Sequence, residues 1–189
     1  MSAPLDVVVI VGSLRKASLN RKLAMALAAL APPELRLEIV EIGALPLYNQ
    51  DLDDDAAGVP AAWTAFRDRV ARADGVIFVT PEYNRSVPAP LKNAIDVGSR
   101  PYGKSAWSGK PAAVVSASPG AIGGFGANHH LRQSLVFLDM PTLQQPEAYI
   151  SGVDKLFDDA GNVASESTRG FLEKILRAHA ALLERYVRR

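Results

Sequence analysis

Val7-Val8-Val9-Ile10-Val11 runs directly into Gly12-Ser13-Leu14-Arg15-Lys16-Ala17-Ser18-Leu19-Asn20. The apolar run is nearly continuous from Leu5, the pattern of a strand buried on both faces. Leu19, Leu23, Leu27 and Leu30 then recur at helical spacing, which predicts a helix over about Ser18–Ala31, stopped by Pro32-Pro33. A loop between a buried strand and a helix N-terminus is a natural anion site. The first-turn N–H groups have no intrahelical partner, and the helix dipole favours negative charge there. This loop adds the hydroxyls of Ser13 and Ser18, the amide of Asn20, and the cations Arg15 and Lys16.

The same unit repeats outward. Leu35-Arg36-Leu37-Glu38-Ile39 alternates apolar and charged, as a strand at the sheet edge does. Ile42–Asp55 reads as a loop, with Asp51, Asp53, Asp54 and Asp55 as a solvated acidic cluster. Val59, Trp63, Phe66 and Val70 mark a second helix, with Pro60 in its first turn. Val76–Val79 and Ala112–Val115 are further buried strands. A third helix ends near Gly98, and a fourth carries Leu131, Leu135 and Leu138. Thr142–Ile150 is a weaker strand candidate, Asp158–Asn162 a turn, and Phe171 to Tyr186 the last helix. Alternating strands and helices predict an α/β three-layer sandwich in one domain over residues 1–189. Its parallel five-stranded sheet has the flavodoxin-like order 2-1-3-4-5, with helices on both faces.

In that topology ligands sit beyond the carboxyl ends of the strands, where strand order reverses. Three loops meet there: Gly12–Asn20, Pro81–Ser86 and the glycine-rich Ser116–Gly126. The first matches neither GxxxxGK[ST] nor GxGxxG, so a triphosphate or dinucleotide fits poorly and a monophosphate ester fits well. Its other reading is a Ser18 N-cap beside a solvated Arg15-Lys16 turn. In the second, Pro81 gives rigidity, while Tyr83 and Asn84 offer a flat apolar body and amide chemistry; an ordinary strand-to-helix connection is the alternative. Glu82 reads as backbone positioning, because no second titratable group stands beside it. The glycines of the third loop permit close backbone approach to a ligand, or simply flexibility.

Composition narrows the rest. With 189 residues, 48% apolar and 22% charged, the chain can bury a sizeable core. The formal net charge of +1 and scattered Lys and Arg give no footprint for nucleic acid. The absence of cysteine excludes disulfides, iron–sulfur clusters and a thiol nucleophile. His129 and His130 are adjacent and lack metal-ligand spacing, so no metal is expected. No apolar run reaches transmembrane length and no signal peptide is evident, so a cytoplasmic location is expected.

At these residues the chain resembles the NAD(P)H-dependent FMN reductases of the flavodoxin-like group, which include bacterial quinone, chromate and azo-dye reductases. The motifs are Gly12–Asn20, Pro81–Asn84, Leu91–Asp96 with Ser99-Arg100-Pro101, Ile122–Gly124 and His130–Gln133. The resemblance implies FMN, with Ser13, Arg15, Ser18 and Asn20 on its phosphate. Pro81, Glu82, Tyr83 and Asn84 would line the isoalloxazine, and Ser118 and Gly120 would approach it from the other side. It implies hydride transfer from NADPH or NADH to the flavin, then to a small-molecule acceptor, in ping-pong order and without a protein acid or base. Arg15, Asn84 and Arg100 are candidates for the pyridine nucleotide. It also implies a homodimer, or a dimer of dimers, with the third helix near the partner. Some members carry a tetramer network of two tyrosines, an arginine and a glutamate. The corresponding positions here are Arg85, Gly126 and His129, with Glu147 kept. The alternatives are an electron carrier, a class usually strongly acidic as this chain is not, and a flavin-binding regulatory protein.

Overall fold

The computed structural model describes residues 3–54 and 58–187. The elements in order are β1 (Leu5–Val11), α1 (Leu19–Ala29), β2 (Leu35–Val40), α2 (Gln50–Asp54), α3 (Ala61–Arg72) and β3 (Gly75–Thr80). They continue with α4 (Ala89–Gly98), β4 (Ala112–Ser118), α5 (Phe125–Phe137), β5 (Ala148–Ser151), a 3-10 turn (Val153–Lys155) and α6 (Glu166–Tyr186). The sheet has the order β2-β1-β3-β4-β5 and is parallel throughout. The flavodoxin-like expectation is met. Val9 pairs with Ile39 on one side and Ile77 on the other, and Val79 pairs with Val115.

Strand side chains alternate between faces, so the sheet divides the core in two. Leu5, Val7, Val9 and Val11 face Leu23 and Leu27 of α1 and Leu172, Ile175, Leu176 and Leu183 of α6. Val8 and Ile10 face the opposite layer, built on Trp63 and Phe66 of α3, Leu91 and Ile95 of α4, and Leu131 and Leu135 of α5. Each such side chain contributes about 1.5–3 kcal/mol when fully buried. Trp107 fills the space beside α4, and a Cβ on Gly98 would come 2.6 Å from its ring. Only glycine permits that approach.

Four boundaries differ from the sequence reading. The acidic segment before Asp55 is not all loop: Gln50–Asp54 forms α2. Nor is it all solvated, since the Asp53 side chain is 3% exposed and pairs with Arg67 at 2.7 Å. A buried arginine partner thus overrides the rule that acidic clusters face water. Asp55 lies outside the described residues. Ser116–Ser118 extends β4 and Phe125 begins α5, so the glycine loop is shorter than its composition suggests. Of Thr142–Ile150 only the end is strand; Thr142 makes a lone bridge to Ala112. Pro60 is the N-cap of α3 rather than a first-turn residue.

Candidate functional site

The first loop leaves the sheet between two buried strands, with the Gly12 amide donating to the Val79 carbonyl at 2.9 Å. Ser18 is the N-cap of α1: its Oγ accepts from the Arg21 amide at 3.1 Å, which leaves its own proton free to donate outward. The capping and phosphate readings of Ser18 are therefore compatible. No acidic residue stands in the first turn of α1 to satisfy the dipole internally. Arg15 is exposed, and among the described residues its guanidinium has no carboxylate partner. Asn20 is buried; its Nδ2 reaches the Ala117 carbonyl at 3.4 Å, while its Oδ1 has no partner among the described residues. A buried acceptor left open is costly unless a ligand donor fills it.

The second loop is a tight turn. The amides and carbonyls of Tyr83 and Ser86 bond reciprocally at 3.0 Å, and Asn84 and Arg85 both have positive φ (53° and 62°). That is the pattern of a two-residue type I′ hairpin turn. Asn tolerates the left-handed region, whereas Arg is strained there. The turn leaves Tyr83 about half exposed at the mouth. Glu82 turns the other way. Its Oε2 accepts from the Ala127 amide at 3.1 Å, and its Oε1 pairs with Arg85 at 2.7 Å. Both oxygens are engaged, as a positioning residue requires.

In the third loop the Ser118 Oγ accepts from the Gly120 amide at 3.1 Å. Gly123 and Gly124 have φ of 57° and 77°, and a Cβ on Gly123 would lie 2.6 Å from the Tyr149 backbone. These glycines are required by the path of the chain rather than by flexibility.

The three loops form one groove. Ser13, Arg15, Ser18, Asn20, Pro81, Glu82, Tyr83 and Ser118 line it together. Asn84 and Gly120 do not line it, although each is next in chain to a residue that does or bonded to one. Leu19, Ala117 and Pro119 of the same loops also line it, as does Val153, which the sequence reading missed. Val153 sits in the 3-10 turn after β5 and carries no signal beyond being apolar. Arg100 lies elsewhere, in a cavity of about 380 Å³ with Tyr48, Lys92, Asp96 and Phe137. His129 and His130 also part company. His129 Nε2 is 2.8 Å from the Tyr149 hydroxyl, and His130 Nδ1 is 2.7 Å from Ser86 Oγ.

Residues 5–155 match the family described as NADPH-dependent FMN reductase. The chain belongs to that family. It is 63% identical to a quinone reductase of Pseudomonas putida over 96% of each chain. It is 48% identical to a 2-hydroxy-1,4-benzoquinone reductase of a Burkholderia species, covering 94% of this chain and 95% of that one. Among solved structures it matches FerB, a flavoenzyme NAD(P)H:(acceptor) oxidoreductase of Paracoccus denitrificans. That match has a TM-score of 0.89 at 42% identity, covering 96% of this chain and 98% of FerB.

As an FMN reductase the chain is an oxidoreductase with FMN as cofactor and NAD(P)H as co-substrate. The groove suits that cofactor. A helix start with no acidic residue in its first turn, an arginine with no carboxylate partner among the described residues and free hydroxyl protons match a phosphate, and the open Asn20 Oδ1 matches a hydroxyl donor. Arg85 and Glu147 are both engaged within the chain. Arg85 pairs with Glu82, and Glu147 accepts from Tyr149 at 2.8 Å. Among the described residues no helix is long and apolar enough to cross a membrane.

Proposed function

We propose that this FMN reductase is a quinone reductase whose groove seats the FMN phosphate in Gly12–Asn20. Ser13, Arg15 and Ser18 bind it, Asn20 takes a hydroxyl of the cofactor beside it on its Oδ1, and the ring lies between Pro81–Asn84 on one side and Ser118–Gly120 on the other. The observation that carries this reading is the meeting of the Ser18-capped helix start, the unpaired Arg15 and the orphan Asn20 Oδ1 in one groove with both ring loops. Charge-assisted hydrogen bonds of this kind are worth roughly 1.5–3 kcal/mol each. The two quinone reductases that resemble the chain over nearly their whole length favour a quinone as acceptor.

FMN held by these residues would supply the redox chemistry between NAD(P)H and the acceptor. The protein supplies position: Pro81 stiffens one wall, Tyr83 borders the open mouth, and no acid or base is required. One mouth serving both substrates favours a ping-pong order. Chromate and azo dyes would be reduced incidentally at the same open face. Exposed Val136, Phe137 and Tyr102, near the cavity lined by Lys92, Asp96 and Arg100, favour a homodimer through α4 and α5. Engagement of Glu147 by its own Tyr149 favours a dimer over a tetramer. A cytoplasmic location accords with this reading.

The test is direct. The purified protein should be yellow, should bleach anaerobically with NAD(P)H, and should turn over a benzoquinone with parallel steady-state lines. Arg15→Ala should lower FMN retention about tenfold or more while leaving apoprotein melting unchanged. Unchanged flavin occupancy would remove the phosphate assignment, and intersecting lines would remove the shared-mouth order.

A further inference from the structure

We propose that the start of α5 is a bracket that sets the spacing of the two walls of the flavin-ring groove, with Glu82 and Ser116 as its positioning residues. The inference rests on the FMN reading of that groove and adds a role for residues away from the phosphate.

Two independent fastenings converge on adjacent residues of one helix. From the wall after β3, the Glu82 carboxylate accepts from the Ala127 amide at 3.1 Å. Its side chain is only 10% exposed, and it faces the positive end of the α5 dipole. A Cβ on Gly126 would come 2.9 Å from Glu82 Oε2, so the small residue there is what admits the carboxylate. One turn further, Ser86 Oγ meets His130 Nδ1 at 2.7 Å and fixes the far side of the same turn. From the end of β4, the Ser116 hydroxyl donates to the carbonyl of Gly123 in the loop that follows, at 2.8 Å, and accepts from Asn128 Nδ2 at 3.3 Å. Asn128 is fully buried, and its Oδ1 accepts from Arg132 Nε at 2.9 Å. Arg132 in turn donates to the Leu143 carbonyl at 2.9 Å.

Thr80 and Ser116 pair across β3 and β4 at the base of the two walls; beyond that pairing Glu82 is fastened to the Ala127 amide, and Gly123 is fastened through Ser116 to Asn128. Helix geometry fixes the distance between those two anchor points, so a flat ring meets walls already spaced to receive it. Loss of either fastening leaves the phosphate grip at the start of α1 untouched, since Ser13, Arg15 and Ser18 belong to another element. The bracket therefore acts on the ring alone.

That separation gives the experiment. Apoprotein is titrated with FMN and with riboflavin, which has the same ring and no phosphate, by quenching of flavin fluorescence well below the melting temperature. Glu82→Ala and Ser116→Ala should each weaken both flavins by the same factor, about tenfold for a buried hydrogen-bonded contact. Glu82→Gln still offers an acceptor to the Ala127 amide and should stay within about threefold of the unmodified protein. The double variant Glu82→Ala/Ser116→Ala should lose less than the product of the single losses, because a slot with one free wall has no spacing left to lose. Unchanged flavin affinity in Glu82→Ala and Ser116→Ala, even with lowered melting, overturns the bracket and leaves a structural role only. Losses confined to FMN, or losses that multiply, also overturn it. Failure of the underlying reading looks different: the unmodified protein would bind neither flavin, or Arg15→Ala would weaken FMN and riboflavin alike. Should Ser116→Ala fail to fold, the Glu82 pair decides the question by itself.

Discussion

His129 and Tyr149 are joined tip to tip: the His129 Nε2 lies 2.8 Å from the Tyr149 hydroxyl, which donates its own proton to Glu147 at 2.8 Å. The tyrosine proton is already committed, so His129 is the donor and carries its proton on Nε2. Burial, and then the Glu147 carboxylate, push the Tyr149 hydroxyl up to about 12. A raised acid of this kind contributes stability that is present below pH 10 and lost as pH climbs from 10 to 12. Tyr149→Phe should therefore flatten the alkaline fall of the melting temperature in that window. An equally steep fall in the variant would refute the assignment.

His179 gives the opposite slope at the acid end. It is fully buried on α6, and neither ring nitrogen has a hydrogen-bond partner among the described residues. Burial pushes its pKa down to about 4, against about 6.5 when unfolded. The unfolded chain binds the extra proton first, so stability is complete above pH 6.5 and declines as pH falls toward 4. The loss is on the order of 3 kcal/mol at full extent. His179→Leu should hold its denaturation midpoint across that range and should be at least as stable at pH 7. A midpoint that still falls with the same slope would assign the acid sensitivity to other groups.

Arg67 and Asp53 form the most buried ion pair among the described residues, with two bonds of 2.7 and 2.8 Å and side chains 13% and 3% exposed. Arg67 also donates to the Val97 carbonyl at 2.8 Å and lies over the Trp63 ring. Arg67→Ala strands the Asp53 charge and should cost about 3–5 kcal/mol in urea unfolding. The double variant Arg67→Met/Asp53→Leu should recover most of that loss. A double variant as unstable as the single would mean that packing on Trp63, not the stranded charge, dominates.

Gly123 combines a left-handed backbone with contact on the Tyr149 main chain. Gly123→Ala should push the loop off β5 and lower flavin occupancy together with melting temperature, since backbone cannot yield as a flexible side-chain tip does. Normal flavin content with wild-type melting would show that the loop has slack that its contacts do not suggest.

The parts of this fold that follow from local chemistry are readable in the chain. Val7–Val11 and Val76–Val79 are apolar without alternation because both faces are covered, and Ser18 is a cap because it precedes Leu19 and Leu23 at helical spacing. What escapes is whatever depends on a distant partner. Gln50–Asp54 has no buried residue of its own to signal a helix, and Asp53 is drawn inward by an arginine from α3. Glu82 finds its partner on α5, where the donor is a backbone amide that no sequence pattern marks. Arg100 is set apart from the three loops in the same way: it follows α4 and lines the other cavity beside Ser99. Val153 joins the groove only because β5 ends where it does.

The mouth of the groove is bordered by Tyr83, about half exposed, and Arg15, exposed, while the strands beneath them are almost wholly buried. Change at the rim and change in the scaffold are thereby separate problems for selection. Rim side chains can change one at a time with little effect on folding and with the backbone of the Gly12–Asn20 loop left intact. A lineage built this way can meet new oxidants in its surroundings without first having to rebuild its interior.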